Sequence, residues 1–248
     1  MEQKNWFESW FGSPYYKVLY QNRDKLEARA FIENIIEYLE PLPYSNMLDI
    51  ACGEGRHAIQ LAEHKFDVTG IDLSHRSIEK AKESEREGLQ FFIHDMRFPF
   101  YINYFDYAFN FFTSFGYFNK DRDHHMAAKS FARALKPGGL LVIDYLNREY
   151  TVNSLVQEET IERGGISFNI KRRLERDHII KDISFKDNEG KEHCYNESVA
   201  AFSLSDFIKI FKKAGMKLVS NFGDYQLNNY DPSTSPRLIM IFKKQNVG

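Results

Sequence analysis

The chain has 248 residues, of which 43% are hydrophobic and 27% are charged. This balance is typical of a folded globular protein and excludes a disordered one. Lys and Arg number 33 against 35 Asp and Glu, and the net charge of −2 argues against a broad nucleic-acid-binding surface. The chain contains no apolar run of about 18 residues, and Met1 to Asn5 do not resemble a signal peptide. We therefore expect a cytoplasmic protein without a membrane partner.

The segment from residue 5 to residue 40 has the spacing of helices. Aromatic residues recur at three- and four-residue steps between Trp6 and Phe11, which is typical of one helix face. Pro14 breaks this helix and can begin another. A longer amphipathic helix over residues 26–39 is stopped by Pro41. We predict that residues 1–44 form an N-terminal helical lid.

From Asn46 onward, short apolar strands alternate with helices. Strands separated by helices form right-handed parallel βαβ units, which predicts an α/β fold. The expected strands are residues 47–51, 66–72, 89–93, 105–110 and 140–145, and the expected helices are residues 56–64, 74–87 and 122–135.

The pattern changes again after residue 150. Apolar and polar residues alternate over 158–201, and residues 187–190 have the composition of a hairpin loop. We predict an antiparallel β insertion over 151–202 that shapes a substrate site. A helix over 204–214, ended by Gly215, and strands near 216–225 and 236–243 complete the chain. Residues 45–150 and 203–248 then form one domain.

Two glycines follow the first predicted strand and precede a helix. Gly53 and Gly55 have no Cβ, so they can adopt positive φ and allow a ligand to approach the backbone closely. Asp49 lies at the end of the same strand and adds a hydrogen-bond acceptor. A glycine pair of this kind also occurs as a plain tight turn, so further residues are needed to indicate a binding site.

Two more acidic residues follow the next two strands. Asp72 comes 17 residues after Gly55, at the end of the second strand, where a carboxylate can reach ribose hydroxyls. Asp95 follows the third strand and could accept from the exocyclic amine of a purine, while Met96 packs on the ring. Acceptors at three consecutive strand ends predict an adenosine site.

Four segments resemble, in order, the motifs of class I S-adenosylmethionine-dependent methyltransferases. They are residues 48–55, 70–74, 94–97 and 135–139, so the resemblance covers about residues 45–146. It implies a Rossmann-like, seven-stranded, mostly parallel sheet with helices on both faces and an antiparallel last strand. It also implies that the cofactor is S-adenosylmethionine.

The resemblance implies a role for individual residues as well. Residues 49–55 would hold the methionine end of the cofactor, Asp72 the ribose, and Leu73, Asp95 and Met96 the adenine. An aromatic ring of the lid could attract the sulfonium, and Arg29 could pair with the carboxylate. The expected cofactor-binding residues are Tyr16, Tyr20, Arg29, Asp49, Ala51, Cys52, Gly53, Gly55, Asp72, Leu73, Asp95, Met96 and Asn110.

The resemblance implies transfer of a methyl group to N or O of a small-molecule acceptor. The N-terminal segment and residues 113–118 are similar to parts of amino-sugar and glycine-type N-methyltransferases. Tyr117, His94 and Asn147 could touch the acceptor, but the sequence indicates no catalytic residue. We expect no nucleic-acid partner, and the sequence leaves open the acceptor, the acceptor atom and the oligomeric state.

Other interpretations remain open at this point. Gly53, Gly55 and Ala58 satisfy the loose spacing of a nicotinamide-binding loop, but the neighbouring carboxylates suit a free adenosine better. Asn110 begins a segment without the prolines of nucleic-acid base methyltransferases, and a role in RNA or protein methylation is less favoured. A regulatory protein that binds the cofactor without catalysis is a further alternative.

Metal binding is not expected. His124 and His125 are adjacent on a predicted helix, so their side chains point in different directions. Asp144 and Asn147 lie near a strand end without a third candidate ligand.

Overall fold

The computed structural model describes residues 6–20 and 25–246. Three N-terminal helices come first: α1 (Trp6–Phe11), α2 (Pro14–Leu19) and α3 (Lys25–Leu39). The Oγ of Ser13 accepts the backbone N–H of Tyr15 and Pro14 occupies the first turn, so α2 starts where the sequence predicts. Parts of the predicted lid, residues 1–5 and 21–24, lie outside the described residues.

The central unit alternates strands and helices as expected. Its elements are β1 (Asn46–Ile50), α4 (Arg56–Glu63), β2 (Asp67–Asp72), α5 (His75–Lys82), β3 (Leu89–Ile93), β4 (Phe105–Asn110), α6 (Asp121–Ala134), β5 (Leu135–Leu146) and α7 (Arg148–Asn153). After the antiparallel strands β6 (Glu158–Arg163), β7 (Ile166–Glu175), β8 (His178–Lys186) and β9 (Glu192–Ala200), the chain returns with α8 (Leu204–Lys213), β10 (Met216–Phe222) and β11 (Arg237–Lys244).

The central sheet has seven strands in the order β10-β11-β5-β4-β1-β2-β3. β11 is antiparallel to β5 and to β10, and the pairs among β1 to β5 are parallel. The predicted mostly parallel sheet with an antiparallel last strand is therefore confirmed. Strand order reverses direction between β1 and β4, and ligands of open α/β sheets bind in the crevice at such a point.

A second sheet contains β6 to β9 in sequence order. One of its faces buries apolar side chains against Trp10 and Leu19, which makes a core separate from those of the central sheet. The indole N–H of Trp10 also donates to Glu197 at 2.6 Å, and the Tyr15 hydroxyl donates to Asp187 at 2.9 Å. The first two helices are thus fastened to the β6–β9 sheet.

Two element boundaries differ clearly from the predicted ones, and one helix was not predicted. Helix α5 ends at Lys82 instead of Glu87, because the following residues turn and Arg86 bridges back to Leu89. Strand β5 begins at Leu135 and includes the glycine-containing segment that was expected to be a turn. Helix α7 was not predicted, and since it has no buried residue it carries no apolar periodicity.

The second sheet carries three consecutive basic residues at 171–173. Lys171 and Arg173 lie on its exposed face, whereas Arg172 lies on the face that carries Ile170. Lys171 pairs with Glu158 at 3.1 Å, and Arg172 pairs with Glu159. Both are cross-strand pairs, and the first lies on the solvated face of the sheet. In the part of the chain that the structure describes, no helix combines the length and the apolar character needed to cross a membrane.

Gly55 allows us to test the turn between β1 and α4. Its φ is +81°, and a Cβ at this position would lie 2.5 Å from the ring of Phe91. Gly190 has the same φ of +81° with nothing within 4 Å of a Cβ, so it is a matched control. We expect Gly55→Ala to lower the free energy of unfolding by about 2 kcal/mol more than Gly190→Ala in urea titrations. Equal losses would show that contact with Phe91 does not determine this position.

Candidate active site

A cavity of about 530 Å³ opens at the carboxyl ends of β1 to β4, under α1 and α2. This volume lies within the range of small-molecule sites. The walls combine backbone of the glycine loop, acidic side chains and many aromatic rings. Predicted cofactor-binding residues that line the cavity are Tyr16, Tyr20, Asp49, Ala51, Cys52, Gly53, Asp72, Leu73, Asp95 and Met96.

Asp72 connects the glycine loop to the start of α5. Its Oδ2 accepts the N–H of Gly53 at 2.9 Å, and its Oδ1 accepts the N–H of Ser74 at 2.8 Å. Burial raises the pKa of this carboxyl, and the two backbone hydrogen bonds partly offset that effect. A carboxylate oxygen can accept two hydrogen bonds, so Asp72 can still accept a hydrogen bond from a ligand hydroxyl in the cavity.

Asp49 is the most deeply buried acid of the cavity, with 1% of its surface exposed. Its Oδ2 has no hydrogen-bond partner among the residues that the structure describes. Burial raises the pKa of Asp49 to about 7, and the charge of nearby Asp72 acts in the same direction. A buried, unsatisfied carboxylate oxygen is costly, so this atom is suited to a ligand that donates a hydrogen bond or carries positive charge.

Asp95 lies in the wall with its carboxylate already paired. Arg97 donates from Nε to both oxygens, at 3.1 and 3.0 Å, and from a terminal nitrogen at 2.6 Å. Burial alone would raise the pKa of Asp95, but the hydrogen bonds from Arg97 outweigh it and the pKa falls below its usual value. Asp95 therefore stays ionised, and any further donor would share the carboxylate with Arg97.

Three predicted residues do not line the cavity. Arg29 is exposed on α3, where its Nε lies 3.8 Å from Glu33, one turn further along the helix. Asn110 is fully buried and donates to the carbonyl of Ile50 at 2.9 Å, which fastens β4 to β1 beneath the cavity. Gly55 lies behind the loop, against the ring of Phe91. The expected direct contacts of Arg29, Gly55 and Asn110 with a cofactor are not supported by these positions.

Aromatic side chains from the N-terminal helices and from the loop after β4 form much of the cavity wall. Phe11 lies 5.0 Å from Tyr16 and 5.3 Å from Tyr117 between ring centroids, and Tyr16 lies 4.8 Å from Tyr20. These rings come from α1, the end of α2 and the loop after β4. We call this the aromatic wall: Phe7, Phe11, Tyr16, Tyr20, Tyr117 and Phe118.

Several residues of the cavity were not expected from the sequence. His57 is nearly buried and stacks on Phe112, with ring centroids 5.1 Å apart and an interplanar angle of 23°. Burial lowers the pKa of His57 to about 3, and Arg56 adds to this, so the imidazole is neutral at neutral pH. Lys17 also lines the cavity and pairs with Glu54. Two sequence features could have indicated these residues: His57 directly follows the glycine loop, and Lys17 belongs to the predicted lid.

Of the three residues expected to touch an acceptor, two line the cavity and one does not. Tyr117 and His94 are part of its walls. Asn147 is fully buried, and its Nδ2 donates to the carbonyls of Pro232 at 2.9 Å and Ser235 at 2.8 Å. Asn147 thus holds the connection between β10 and β11, and it does not line the cavity.

The chain is similar in sequence and in fold to known methyltransferases. Residues 47–139 match a family model described as a methyltransferase domain. A relative from Bacillus subtilis (strain 168), "Putative methyltransferase YqeM", is 36% identical over 237 residues, which cover 90% of this chain and 93% of the relative.

Two further similarities extend over most of the chain. A dTDP-3-amino-3,4,6-trideoxy-alpha-D-glucopyranose N,N-dimethyltransferase from Streptomyces venezuelae is 28% identical, covering 70% of this chain and 76% of the relative. The crystal structure of an S-adenosylmethionine-dependent methyltransferase from Clostridium acetobutylicum ATCC 824 superposes with a TM-score of 0.78 at 20% identity, covering 94% of this chain and 96% of that one. This last likeness concerns the fold.

The raised pKa of Asp49 leads to a prediction about stability. An acid whose pKa is higher in the folded than in the unfolded protein binds its proton more tightly when folded, so stability falls as pH rises from about 4 to about 7. Asp49→Asn cannot ionise, so at pH 8 we expect it to raise the free energy of unfolding by roughly 2 kcal/mol. At pH 4 the gain should vanish. Urea titrations at both pH values measure this, and a loss of stability at pH 8 would contradict it.

Proposed function

Because this chain belongs to the class I S-adenosylmethionine-dependent methyltransferases, we propose that it methylates an amine nitrogen of a small molecule. The observation that carries the proposal is the aromatic wall, which lines the same cavity as the acidic strand ends. Methyl transfer to a neutral amine moves one positive charge from sulfur to nitrogen. Aromatic faces attract cations, so the wall favours the charge at both ends of this path. An oxyanion acceptor would instead cancel the charge.

A similar relative and the cavity volume agree with this class of acceptor. The Streptomyces venezuelae relative is named as an N,N-dimethyltransferase, so its name also specifies a nitrogen acceptor. A cavity of about 530 Å³ must hold the cofactor as well as the acceptor, which leaves room for a small molecule only.

S-Adenosylmethionine is the cofactor, and when bound it supplies an activated methyl group on a sulfonium. The described residues fit its methionine end. Asp49 has a buried oxygen without a partner, which suits the α-ammonium group. Lys17 and Arg56 line the same side of the cavity and suit the carboxylate. These two cations replace Arg29 in the role that the sequence predicted for it.

The adenosine would lie across the ends of β2 and β3. We infer that Asp72 accepts the ribose hydroxyls while it holds the glycine loop. Leu73 is 36% exposed at the cavity edge and offers an apolar surface to the adenine, with Met96 as a second one. Asp95 would accept from the exocyclic amine with the lone pairs that Arg97 leaves.

The chain offers positioning rather than a strong base. His57 is neutral but, with a pKa of about 3, it is too weak a base to deprotonate an ammonium group. We propose that the acceptor reacts as the free amine, which needs no base at the moment of transfer. Alignment with the methyl group and exclusion of water by the surrounding rings then supply the rate enhancement.

We further propose that the predicted lid and insertion act together on the acceptor side. Tyr16 and Tyr20 line the cavity, and the Tyr20 hydroxyl donates to Glu197 of β9 at 2.7 Å. The β6–β9 sheet would thus hold the aromatic wall in place, while the central sheet binds the cofactor.

A screen with labelled S-adenosylmethionine tests the acceptor class. We expect label on primary or secondary amines, and none on the alcohol or phenol with the same skeleton. The rate should rise with pH through the pKa of each amine, because the free amine reacts. Transfer to the hydroxyl analogue in place of the amine, or to RNA or protein only, would contradict the proposal.

The same assay separates the two sides of the cavity. Tyr16→Leu should lower turnover of the amine about tenfold, because it removes a ring that stabilises the cation. Cofactor affinity, measured by calorimetry, should fall by less. An exposed aromatic residue away from the cavity, Tyr44, provides the control Tyr44→Leu, which should change neither quantity.

A further inference from the structure

The loop after β4 contains strained backbone at the cavity. Phe112 has a φ of 56° and Thr113 a φ of 60°, so two consecutive residues other than glycine adopt the left-handed region. This conformation costs energy for each of them, and most of all for a β-branched residue such as Thr113. Phe112 and Ser114 line the cavity on either side of Thr113. The strained turn is therefore part of the wall between His57 and the aromatic wall.

Asp144, at the end of β5, holds this turn with both its side chain and its backbone. The N–H of Phe112 donates to Oδ2 at 2.9 Å, and the N–H of Thr113 donates to the backbone carbonyl of Asp144 at 3.0 Å. Arg237 of β11 donates to Oδ1 of Asp144 at 2.7 Å and to the hydroxyl of Thr113 at 3.0 Å. Three hydrogen bonds thus fix the two strained residues, and a fourth joins Arg237 to Asp144.

A second layer supports the buried carboxylate. The Tyr225 hydroxyl donates to Oδ2 of Asp144 at 3.1 Å, and the Tyr225 ring lies 5.9 Å from the ring of Phe112. Asn34 of α3 donates to the carbonyl of Tyr225 at 2.8 Å. The Asp144 side chain is fully buried, and with Arg237, Tyr225 and Phe112 as donors it is well satisfied.

Stability alone does not account for this arrangement. A buried ion pair contributes little net stability relative to apolar residues of similar volume, because both charges lose their hydration. Here the pair also supports backbone strain, which lowers stability further. An arrangement of this kind at a cavity wall is expected where the exact position of the wall matters for function.

We propose that Asp144 and Arg237 are positioning residues for methyl transfer: they hold the Phe112–Ser114 turn so that an acceptor against it lies in line with the methyl group. This inference rests on the proposed methylation of a small amine. A displacement of about 1 Å can cost about a hundredfold in rate, so a loosened turn should lower kcat. The cofactor residues at the ends of β1, β2 and β3 do not contact this ion pair, but the Arg56 guanidinium lies 4.5 Å from the centroid of the Phe112 ring. Cofactor affinity should therefore fall by less than kcat.

Asp144→Asn tests the proposal, with Asp106→Asn as the matched control. Asp106 likewise accepts a backbone N–H, from Asn46 at 2.9 Å, and a cation, from Lys136 at 2.7 Å, but it lies at the opposite end of the sheet. We expect Asp144→Asn to lower kcat for the amine found in the screen at least about tenfold, with cofactor affinity within about threefold. Asp106→Asn should leave both unchanged. Arg237→Lys serves if Asp144→Asn does not fold.

Thr113 separates positioning from a merely structural role. Thr113→Gly relieves the strain at φ 60°, so its melting temperature should be equal to or above that of the parent. Its kcat should nevertheless fall at least about threefold, because the tie to Arg237 is lost. Thr113→Ser keeps the hydroxyl and should retain activity. A kcat that follows the melting temperature across these variants would overturn the proposal.

Amide hydrogen exchange needs no acceptor and separates the two possible failures. In Asp144→Asn the amides of residues 111–115 should exchange faster than in the parent and in Asp106→Asn. Unchanged exchange, or a loss of cofactor affinity equal to the loss of kcat, would overturn the positioning role. If no amine is methylated by the parent protein, the proposed function fails, and the exchange data still decide whether Asp144 holds the turn.

Discussion

The carboxylate of Asp72 is the interaction on which the cavity depends. It lies at the end of β2, next to β1, and accepts one backbone N–H from the glycine loop and one from the start of α5. The loop backbone has positive φ at Ala51 and Gly53, and its last hydrogen bond to β2 runs from the N–H of Cys52 to the carbonyl of Ile71 at 3.0 Å. The N–H of Gly53 therefore needs another acceptor, which Asp72 supplies. By fixing this loop, Asp72 also shapes the space in which the buried oxygen of Asp49 faces the cavity.

The other side of the cavity is built on a different core. Trp10 and Leu19 of the first two helices pack with Phe168 and Phe185 of the β6–β9 sheet. Glu197 then joins the two by accepting from the Trp10 indole and the Tyr20 hydroxyl. Because this core is separate from those of the central sheet, we infer that the proposed acceptor side can vary while the proposed cofactor side keeps its geometry. The strained turn at Phe112 lies between the two.

Much of the central sheet could be predicted from the sequence. Parallel strands are buried on both faces and form short apolar runs, and the helices between them have a period of 3.6 residues. The acidic residues were also informative, since Asp49, Asp72 and Asp95 follow consecutive strands and such strand ends meet at one edge of a sheet. These patterns are local, so they survive without knowledge of the tertiary contacts.

Several of the incorrect or missing expectations depend on contacts between distant parts of the chain. Arg29 belongs to the predicted lid, but it lies on the face of α3 that is exposed to solvent. Asn147 follows β5, and from its place in the sequence it could contact a substrate. In the structure its amide instead donates to backbone carbonyls of residues 231–235. Asp144 gains its role from Arg237, 93 residues away, and from backbone strain that no local pattern reveals.

A crystal structure of the complex with S-adenosylhomocysteine tests most directly the claim that the acidic strand ends form the cofactor site. The account predicts the ribose hydroxyls on Asp72, the ammonium group at Asp49, the adenine between Leu73 and Met96, and the sulfur atom facing the aromatic wall. A ribose bound away from Asp72, or a sulfur atom turned away from Tyr16 and Tyr117, would contradict it.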